Sequence, residues 1–201
     1  MNDVRTFWKP GVTAVIPTIP TRERQAVLER RALPSVRRQI MPVVDIIVET
    51  DEHGEGAWVT RGRALAKVET EWTAFLDDDD EWTPHHVSSL VTEAERTGAD
   101  YVFSWFALGI NCGSIDRLGH LGRPFDPEHP HPTTMTVLVR TELAQRVGFT
   151  PPEVGARQGG EDWRFTLGCV AVGAKIVHLP RRTWVYHCFP GGTHGMPTWV
   201  R

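Results

Sequence analysis

The sequence predicts an α/β protein with a mostly parallel central sheet flanked by helices. Short β-branched apolar runs alternate with amphipathic segments through the first hundred residues, and this order is typical of a parallel, helix-covered sheet. Of the 201 residues, 40% are hydrophobic and 23% are charged, as in ordinary soluble globular proteins. A chain of this length can bury a full core, so we expect one domain spanning residues 1–201.

Four strands and three helices are expected in strict alternation in the first half. The strands are the apolar runs 12–17, 43–49, 72–76 and 100–108, and the helices are the segments 21–39, 55–69 and 83–98. Pro34 should interrupt or offset the first helix, because proline lacks a backbone N–H. Thr83 and Pro84 are expected to be the N-cap and the first residue of the third helix.

The second half is less regular. We expect strands at 133–140, 174–180 and 183–189, and helices at 141–148 and 161–173. The segment 122–132 is rich in proline and histidine and is predicted to be a loop. The tail, PGGTHGMPTWVR, has no periodicity and is predicted to be mobile.

Composition excludes several classes of function. The net charge of −3 gives no general attraction to nucleic acid. Cys112, Cys169 and Cys188 are far apart and form no CxxC pair, so neither a disulfide framework nor a structural zinc site is expected. The simplest interpretation is a reduced, cytoplasmic setting. The N-terminus has no apolar signal region, and no stretch approaches the roughly 20 apolar residues of a membrane span.

Four consecutive aspartates, residues 77–80, directly follow the third predicted strand. In parallel sheets, ligands bind outside the carboxyl ends of the strands. Clustered carboxylates without a nearby lysine suit Mg²⁺ or Mn²⁺, which prefer oxygen ligands and share their shell with substrate phosphates. The alternative is an acidic loop that caps the next helix through its dipole. The position after a strand favours a metal–nucleotide site.

Five segments resemble, in the same order, the motifs of family 2 glycosyltransferases of the GT-A fold: VTAVIPT, DIIVETDE, TRGRALA, FLDDDDEW and GGEDWRFTL. The resemblance runs from about Val12 to about His194. It implies a single GT-A domain with a nucleotide-binding half, residues 1–110, and an acceptor-binding half, residues 111–201. It also implies a nucleotide-diphosphate sugar donor, with a UDP-sugar favoured, and Mn²⁺ or Mg²⁺ as cofactor.

The resemblance assigns donor-side roles to the first three motifs. Pro17 and Thr18 would end the first strand beside the nucleotide. Family members have paired aspartates after the second strand that contact the base. Here Asp51 matches the second of these, and Glu49 replaces the other. Arg61 matches an arginine that lies near the nucleotide.

In the aspartate cluster, the family pattern D-x-D-D implies a separate role for each residue. Asp77 would lie on the ribose or metal side, and Asp79 would bind the metal. Asp78 fills the variable position within the donor site, and Asp80 would support the others from behind.

Basic residues near the C-terminus could complete the site. His187 or His194 would serve as a further metal ligand, as a C-terminal histidine does in some GT-A enzymes. Arg182, next to Arg181, could pair with diphosphate oxygens. The alternative for each of these residues is an ordinary packing or surface role.

The last motif implies the acceptor side. Asp162 would be the general base, Glu161 would orient it or bind the acceptor, and Trp163 would pack against a sugar. In the implied reaction, Asp162 takes a proton from an acceptor hydroxyl that attacks the anomeric carbon, and the configuration inverts. The alternative for the two carboxylates is capping of the helix N-terminus.

Two further classes of protein compete with this interpretation. A nucleotidyltransferase typically carries a glycine-rich loop after the first strand, whereas this chain has PTIPTRER. A non-catalytic nucleotide-sugar binder would lack the metal or base carboxylates, and both are present. The acceptor stays open among a glycan, a small molecule, a protein and a hydroxylated base in DNA. A basic face for DNA could come from the arginines of the first helix, whose usual meaning is a solvated surface: Arg22, Arg24, Arg30, Arg31, Arg37 and Arg38.

Overall fold

The computed structural model describes residues 9–109, 112, 120–131, 133–151 and 160–188. The tail and His194 lie outside this part of the chain. The described strands are β1 (Lys9–Thr18), β2 (Asp45–Thr50), β3 (Thr70–Phe75), β4 (Glu81–Trp82), β5 (Tyr101–Leu108), β6 (Val137–Arg140) and β7 (Ile176–Tyr186). The described helices are α1 (Arg22–Val27), α2 (Leu33–Arg37), α3 (Ala57–Leu65), α4 (His86–Thr97), α5 (Thr141–Val147) and α6 (Glu161–Ala171).

One seven-stranded sheet, in the order β2-β1-β3-β6-β5-β7-β4, forms the centre of the described fold. β1 pairs in parallel with β2 and β3, and β5 pairs in parallel with β7. β6 runs antiparallel between β3 and β5, and β4 is antiparallel to β7. The α/β fold class is confirmed, with one difference. The sheet is mixed rather than mostly parallel, because β6, whose first three residues are fully buried, takes the place beside β3.

The helices pack against the strands of the sheet. α3 packs against β1 and β2, α4 against β5 and β7, and α5 against β3 and β6. Phe165 fixes α6 to the sheet, since its ring stacks on Phe149 at 4.6 Å and meets the edge of Phe75 at 6.2 Å. These aromatic contacts hold the start of α6 near the carboxyl end of β3.

The first predicted helix is present and is offset as expected. Between α1 and α2 the chain makes a wider π-helical turn, Leu28–Ala32. Pro34, just after this turn, has no N–H to return to the preceding turn, and the wider turn accommodates that loss. Thr21 caps α1 by accepting a hydrogen bond from the Arg24 backbone N–H at 3.3 Å.

Two expectations about element boundaries were wrong. Thr83 does not cap the third long helix, because its hydroxyl donates to the Thr183 carbonyl at 2.9 Å and α4 begins only at His86. The two strands expected at 174–180 and 183–189 are one strand, β7. Its register against β5 shifts between Phe103 and Trp105, and this bulge takes up Pro180, which cannot donate to the ladder.

A disulfide joins Cys112 and Cys188, whose Cα atoms lie 5.1 Å apart. The sequence predicted no disulfide framework and a reduced setting, and it missed this single bond. The two residues are 76 positions apart, and they meet because β5 and β7 are neighbours that end at the same edge. Because two of the three cysteines are paired, the wide spacing of the cysteines no longer supports a reduced setting. Cys169 is free and buried.

The loop rich in proline and histidine packs onto the sheet through His131, whose ring meets Phe103 of β5 at 6.1 Å. The rings of His120 and His131 stack at 5.0 Å, and His178 of β7 stacks on Phe103 at 4.5 Å. Burial, together with the nearby His120, Arg123 and His178, lowers the pKa of His131 to about 4. His131 is therefore neutral at pH 7.

No helix in the described ranges combines the length and apolar character needed to cross a membrane.

Candidate functional site

The aspartate loop, residues 77–80, follows β3 at the carboxyl edge of the sheet, and Asp78 anchors it. Asp78 is almost completely buried. The Thr18 hydroxyl donates to its Oδ2 at 2.6 Å, the Arg24 Nε donates to the same oxygen at 3.0 Å, and Arg24 Nη2 contacts Oδ1. Burial raises the pKa of Asp78, while the hydrogen bonds from Arg24 and Thr18 oppose the rise. Asp78 therefore holds the loop against the end of β1.

Asp79 is the more accessible neighbour, with a side chain that is 19% exposed. Arg24 Nη1 donates to its Oδ2 at 2.5 Å, and Arg31 Nη1 donates to its backbone carbonyl at 2.7 Å. Burial raises the pKa of Asp79 to about 6, with Arg24 opposing and the carboxylates of Asp77 and Asp78 adding to the rise. Asp79 thus carries negative charge that its arginine partner only partly offsets.

Asp80 is buried and faces the end of β7. Its Oδ1 accepts the backbone N–H of His187 at 2.9 Å. Burial, together with Asp79 and Asp77, raises the pKa of Asp80 well above its usual range. The His187 ring points elsewhere, with Nε2 lying 3.6 Å from a carboxylate oxygen of Glu81. A metal-ligating role for that ring stays a prediction.

Arg61 joins the aspartate loop to α6. Its guanidinium is almost fully buried, and Nη2 donates to Asp77 Oδ1 at 2.6 Å while Nη1 donates to Glu161 Oε1 at 2.7 Å. Burial opposes its charge, but the carboxylates of Asp77 and Glu161 outweigh burial and raise the pKa of Arg61. One buried cation therefore links the predicted donor side to the predicted acceptor side.

Asp162 lies in the first turn of α6, which begins after Gly160. Gly160 has a φ of 101°, a conformation that favours glycine and turns the chain into the helix. Asp162 Oδ1 accepts the backbone N–H of Trp163 at 2.7 Å. Burial raises the pKa of Asp162, Glu161 adds to the rise, and Arg61 opposes it. The raised pKa makes Asp162 a stronger proton acceptor than an exposed aspartate.

The predicted base-binding carboxylates at the end of β2 are committed to protein contacts. Asp51 accepts the backbone N–H groups of Glu55 at 2.9 Å and Gly56 at 2.7 Å, and so fixes the turn before α3. Glu49 is paired with Arg63 and Lys67 of the α3 region. Contact with a base stays a prediction for Asp51 and Glu49.

The remaining predicted residues lie at the following places. Pro17 lies in β1 opposite Glu49 of β2, within the carboxyl edge of the sheet. Trp163 is half-buried in the first turn of α6. Arg182 is exposed on β7. It lies three residues before Val185, which pairs with Glu81, the residue that follows the aspartate loop. Contact of Arg182 with a diphosphate stays a prediction.

Sequence reasoning missed Arg24 and Arg31 as site residues, because both were counted among the surface arginines of the first helix. In the structure Arg24 contacts the carboxylates of Asp78 and Asp79, and Arg31 contacts the backbone carbonyl of Asp79. The other arginines of this segment are exposed: Arg22, Arg30, Arg37 and Arg38. The two arginines are seven residues apart, which is about two helical turns, so the sequence alone indicated that they lie on one face of the helix.

The residues present fit a hard divalent cation. Six carboxylates lie in the site, from Asp77 to Asp80 and from Glu161 and Asp162, and three guanidiniums face them, from Arg24, Arg31 and Arg61. Full ionisation of these groups would leave an excess of three negative charges. Asp77 and Asp79 have the accessible oxygens of the loop. No group of three or more histidine, cysteine or carboxylate side chains in the described ranges surrounds a common ion position. Two carboxylates completed by substrate oxygens are typical of Mg²⁺ sites.

Comparison with known proteins gives both a family and a fold. Residues 43–143 match the family model described as glycosyl transferase family 2. No curated protein matches the chain. A structure of S. aureus TarS residues 1–349 in complex with UDP-GlcNAc has a TM-score of 0.73 at 16% identity, covering 91% of this chain and 60% of that one.

A second solved structure has the same fold. The mannosyltransferase PcManGT from Pyrobaculum calidifontis, in complex with GDP-Man and Mn²⁺, has a TM-score of 0.62 at 16% identity. The match covers 89% of this chain and 57% of that protein. The chain thus spans about three fifths of each of these two proteins.

Proposed function

We propose, from the premise that the chain belongs to glycosyl transferase family 2 and has the GT-A fold, that it moves a sugar from a nucleotide-diphosphate sugar to a hydroxyl acceptor with inversion. The observation that carries this proposal is the Arg61 bridge. It places the aspartate loop and the Glu161–Asp162 pair on either side of one buried guanidinium. This proximity supports a donor site next to a general base.

The donor would lie at the carboxyl ends of β1, β2 and β3, beside Thr18 and the aspartate loop. A UDP-sugar is our first choice, and TarS in complex with UDP-GlcNAc supports it. PcManGT in complex with GDP-Man keeps a GDP-sugar as the second choice. Ligands bind at this edge in open α/β sheets, which agrees with the position of the loop.

Asp77 and Asp79 would hold Mn²⁺ or Mg²⁺ through their accessible oxygens. When bound, the metal would neutralise charge on the leaving diphosphate. Asp78 would keep the loop in place, since Thr18 and Arg24 already occupy its oxygens. Asp80 would serve the same purpose at the side of β7.

Asp162 would act as the base. Its carboxylate takes the proton of the acceptor hydroxyl while the acceptor oxygen bonds to the anomeric carbon, and the bond from that carbon to the diphosphate oxygen breaks. Burial raises the pKa of Asp162 and so strengthens it for this task. Glu161, fixed by Arg61, would hold the first turn of α6 in position. The acceptor would be a hydroxyl compound of one of four classes: a glycan, a small molecule, a protein or a modified base in DNA.

The test is a calorimetric titration of UDP, GDP and TDP with and without Mn²⁺. It compares the wild type with Asp79→Ala and Asp162→Asn. We expect metal-dependent binding of one diphosphate, its loss in Asp79→Ala and its retention in Asp162→Asn. Release of the nucleotide from the matching sugar donor should stop in Asp162→Asn. Full turnover in that variant would refute the base assignment, and no binding of any diphosphate would refute the proposal.

A further inference from the structure

We propose that a cluster of three buried hydroxyl groups positions the general base by fixing the direction of the first turn of α6. The hydroxyl cluster consists of the side chains of Tyr101, Thr133 and Thr166, and the base is Asp162. This inference rests on the proposed function. The cluster acts through the backbone of Asp162 and not on the reacting atoms, so its members are positioning residues.

The hydroxyl cluster joins three separate parts of the chain. Tyr101 begins β5, Thr133 lies before β6, and Thr166 lies in α6. The Tyr101 hydroxyl oxygen is 3.0 Å from Thr133 Oγ1 and 3.1 Å from Thr166 Oγ1, and the two threonine oxygens are 3.0 Å apart. All three side chains are buried, so water does not compete for these contacts.

The protons of the cluster are directed towards Asp162. The Thr166 hydroxyl donates to the backbone carbonyl of Asp162 at 3.1 Å, which uses its single proton. Towards Tyr101 and Thr133 the oxygen of Thr166 is therefore an acceptor. Burial raises the pKa of Tyr101 despite its two hydrogen bonds, and Asp162 adds to the rise, so the phenol keeps the proton that it donates.

This arrangement gives the direction of the first turn to the rest of the fold. A threonine that donates to the carbonyl four residues earlier tends to bend its helix at that point. Here the donating hydroxyl is itself held from β5 and from the segment before β6.

On the other side, Arg61 holds Glu161 at 2.7 Å. Asp162 thus lies between two points of attachment, one charged and one neutral. Such support matters for a base, because a misplacement of about 1 Å can cost about a hundredfold in rate.

The test compares variants that separate the hydroxyl from the methyl group of Thr166. Thr166→Val keeps the volume and loses the hydroxyl, whereas Thr166→Ser keeps the hydroxyl. The matched control is Thr141→Val in α5, which removes an equally buried hydroxyl that contacts Thr73 at 2.8 Å. Release of nucleotide from UDP-GlcNAc or GDP-Man with Mn²⁺, and water as acceptor, gives kcat and KM. Thermal unfolding checks that each variant is folded.

We expect Thr166→Val to lower kcat about tenfold, while KM for the donor and Kd for the nucleotide stay within about twofold. Thr166→Ser and Thr141→Val should both retain kcat to within about twofold. Tyr101→Phe and Thr133→Val should each have a small effect, because the remaining hydroxyl still donates to Thr166. Together, these two substitutions should approach the effect of Thr166→Val.

A second measurement needs no turnover. Hydrogen exchange of the backbone amides in the first turns of α6 should be about tenfold faster in Thr166→Val than in the wild type. Thr141→Val should leave exchange in α6 unchanged, because its hydroxyl contacts β3. Unchanged exchange in α6 of Thr166→Val overturns the inference, whether or not nucleotide is released.

The kinetic outcomes separate the inference from the proposed function. Equal kcat in Thr166→Val and Thr141→Val, or a Thr166→Ser variant as slow as Thr166→Val, overturns the inference alone. Parallel losses in kcat and in nucleotide affinity also overturn it, since the effect would then be general damage to the fold. Absence of nucleotide binding and release in every protein overturns the proposed function and the inference together.

Discussion

Removing the buried cation of Arg61 should destabilise the fold far more than removing a similar arginine from the same helix. Arg61→Met keeps most of the side-chain volume but leaves Asp77 and Glu161 without their shared partner. Deleting one partner of a buried ion pair costs about 3–5 kcal/mol. The Asp77 side chain is 39% exposed and recovers solvation, so the lower end, about 3 kcal/mol, is expected.

The expected change is large enough for ordinary unfolding assays. For a domain of this size, about 3 kcal/mol lowers the melting temperature by roughly 6–12 °C. The control is Arg63→Met, two residues along α3, where the arginine is 34% exposed and pairs with Glu49 and Glu55 at the surface. Such surface pairs are worth less than about 1 kcal/mol. Urea denaturation at pH 7 measures both variants on one scale.

A second substitution tests the cause of the loss. In the Arg61→Met background, Glu161→Gln removes one of the two unpaired charges and should recover part of the stability. If Arg61→Met and Arg63→Met had the same small effect, the guanidinium would not be holding the two sides of the site together. If Glu161→Gln made the double variant worse, the loss would be one of packing rather than of charge.

Three further predictions concern the rest of the fold. Denatured without reductant, the chain should expose one alkylatable thiol, that of Cys169, and labelling of three thiols would contradict the disulfide pairing. Reduction of the Cys112–Cys188 bond, whose cysteines are 76 positions apart, should lower the free energy of unfolding by about 4.5 kcal/mol. His131 has a folded pKa of about 4, below its unfolded value of about 6.5, so its contribution to stability is present above pH 6.5 and is lost as the pH falls towards 4. The melting temperature of His131→Phe should depend less on pH over that interval, and parallel profiles would refute this. Gly109→Ala should lower the free energy of unfolding by about 1–3 kcal/mol in urea denaturation, because the added Cβ would lie 2.4 Å from Nδ1 of His187. A neutral result would mean that the His187 ring moves aside at no cost.

The sequence predicted the elements whose signal is local. The runs that became β1, β3 and β5 are buried and nearly continuously apolar, and such runs are visible without any partner. The position of β6 between β3 and β5 depends on pairing across more than 30 residues, for which a single sequence carries no signal. The location of the candidate site at the carboxyl edge of the sheet was predictable, because the aspartates directly follow a strand that the sequence shows.

The contacts within the site were less predictable. Asp77 to Asp80 are four identical residues, yet two are buried anchors and two are accessible. Arg24 and Arg22 look alike in sequence, and only the direction of the helix face separates an internal partner from a surface charge. Such differences arise from packing between elements far apart in the chain.

The place of β6 in the sheet has a consequence for how the chain folds as it is synthesised. β3 and β5 leave the ribosome before β6 exists, so each presents an unpaired apolar edge until residues Val137–Arg140 arrive. β4, which follows the aspartate loop, waits longer still, because its partner in β7 is about a hundred residues later. We therefore expect a nascent chain that needs protection from aggregation and whose β4 becomes ordered only after β7 has been synthesised.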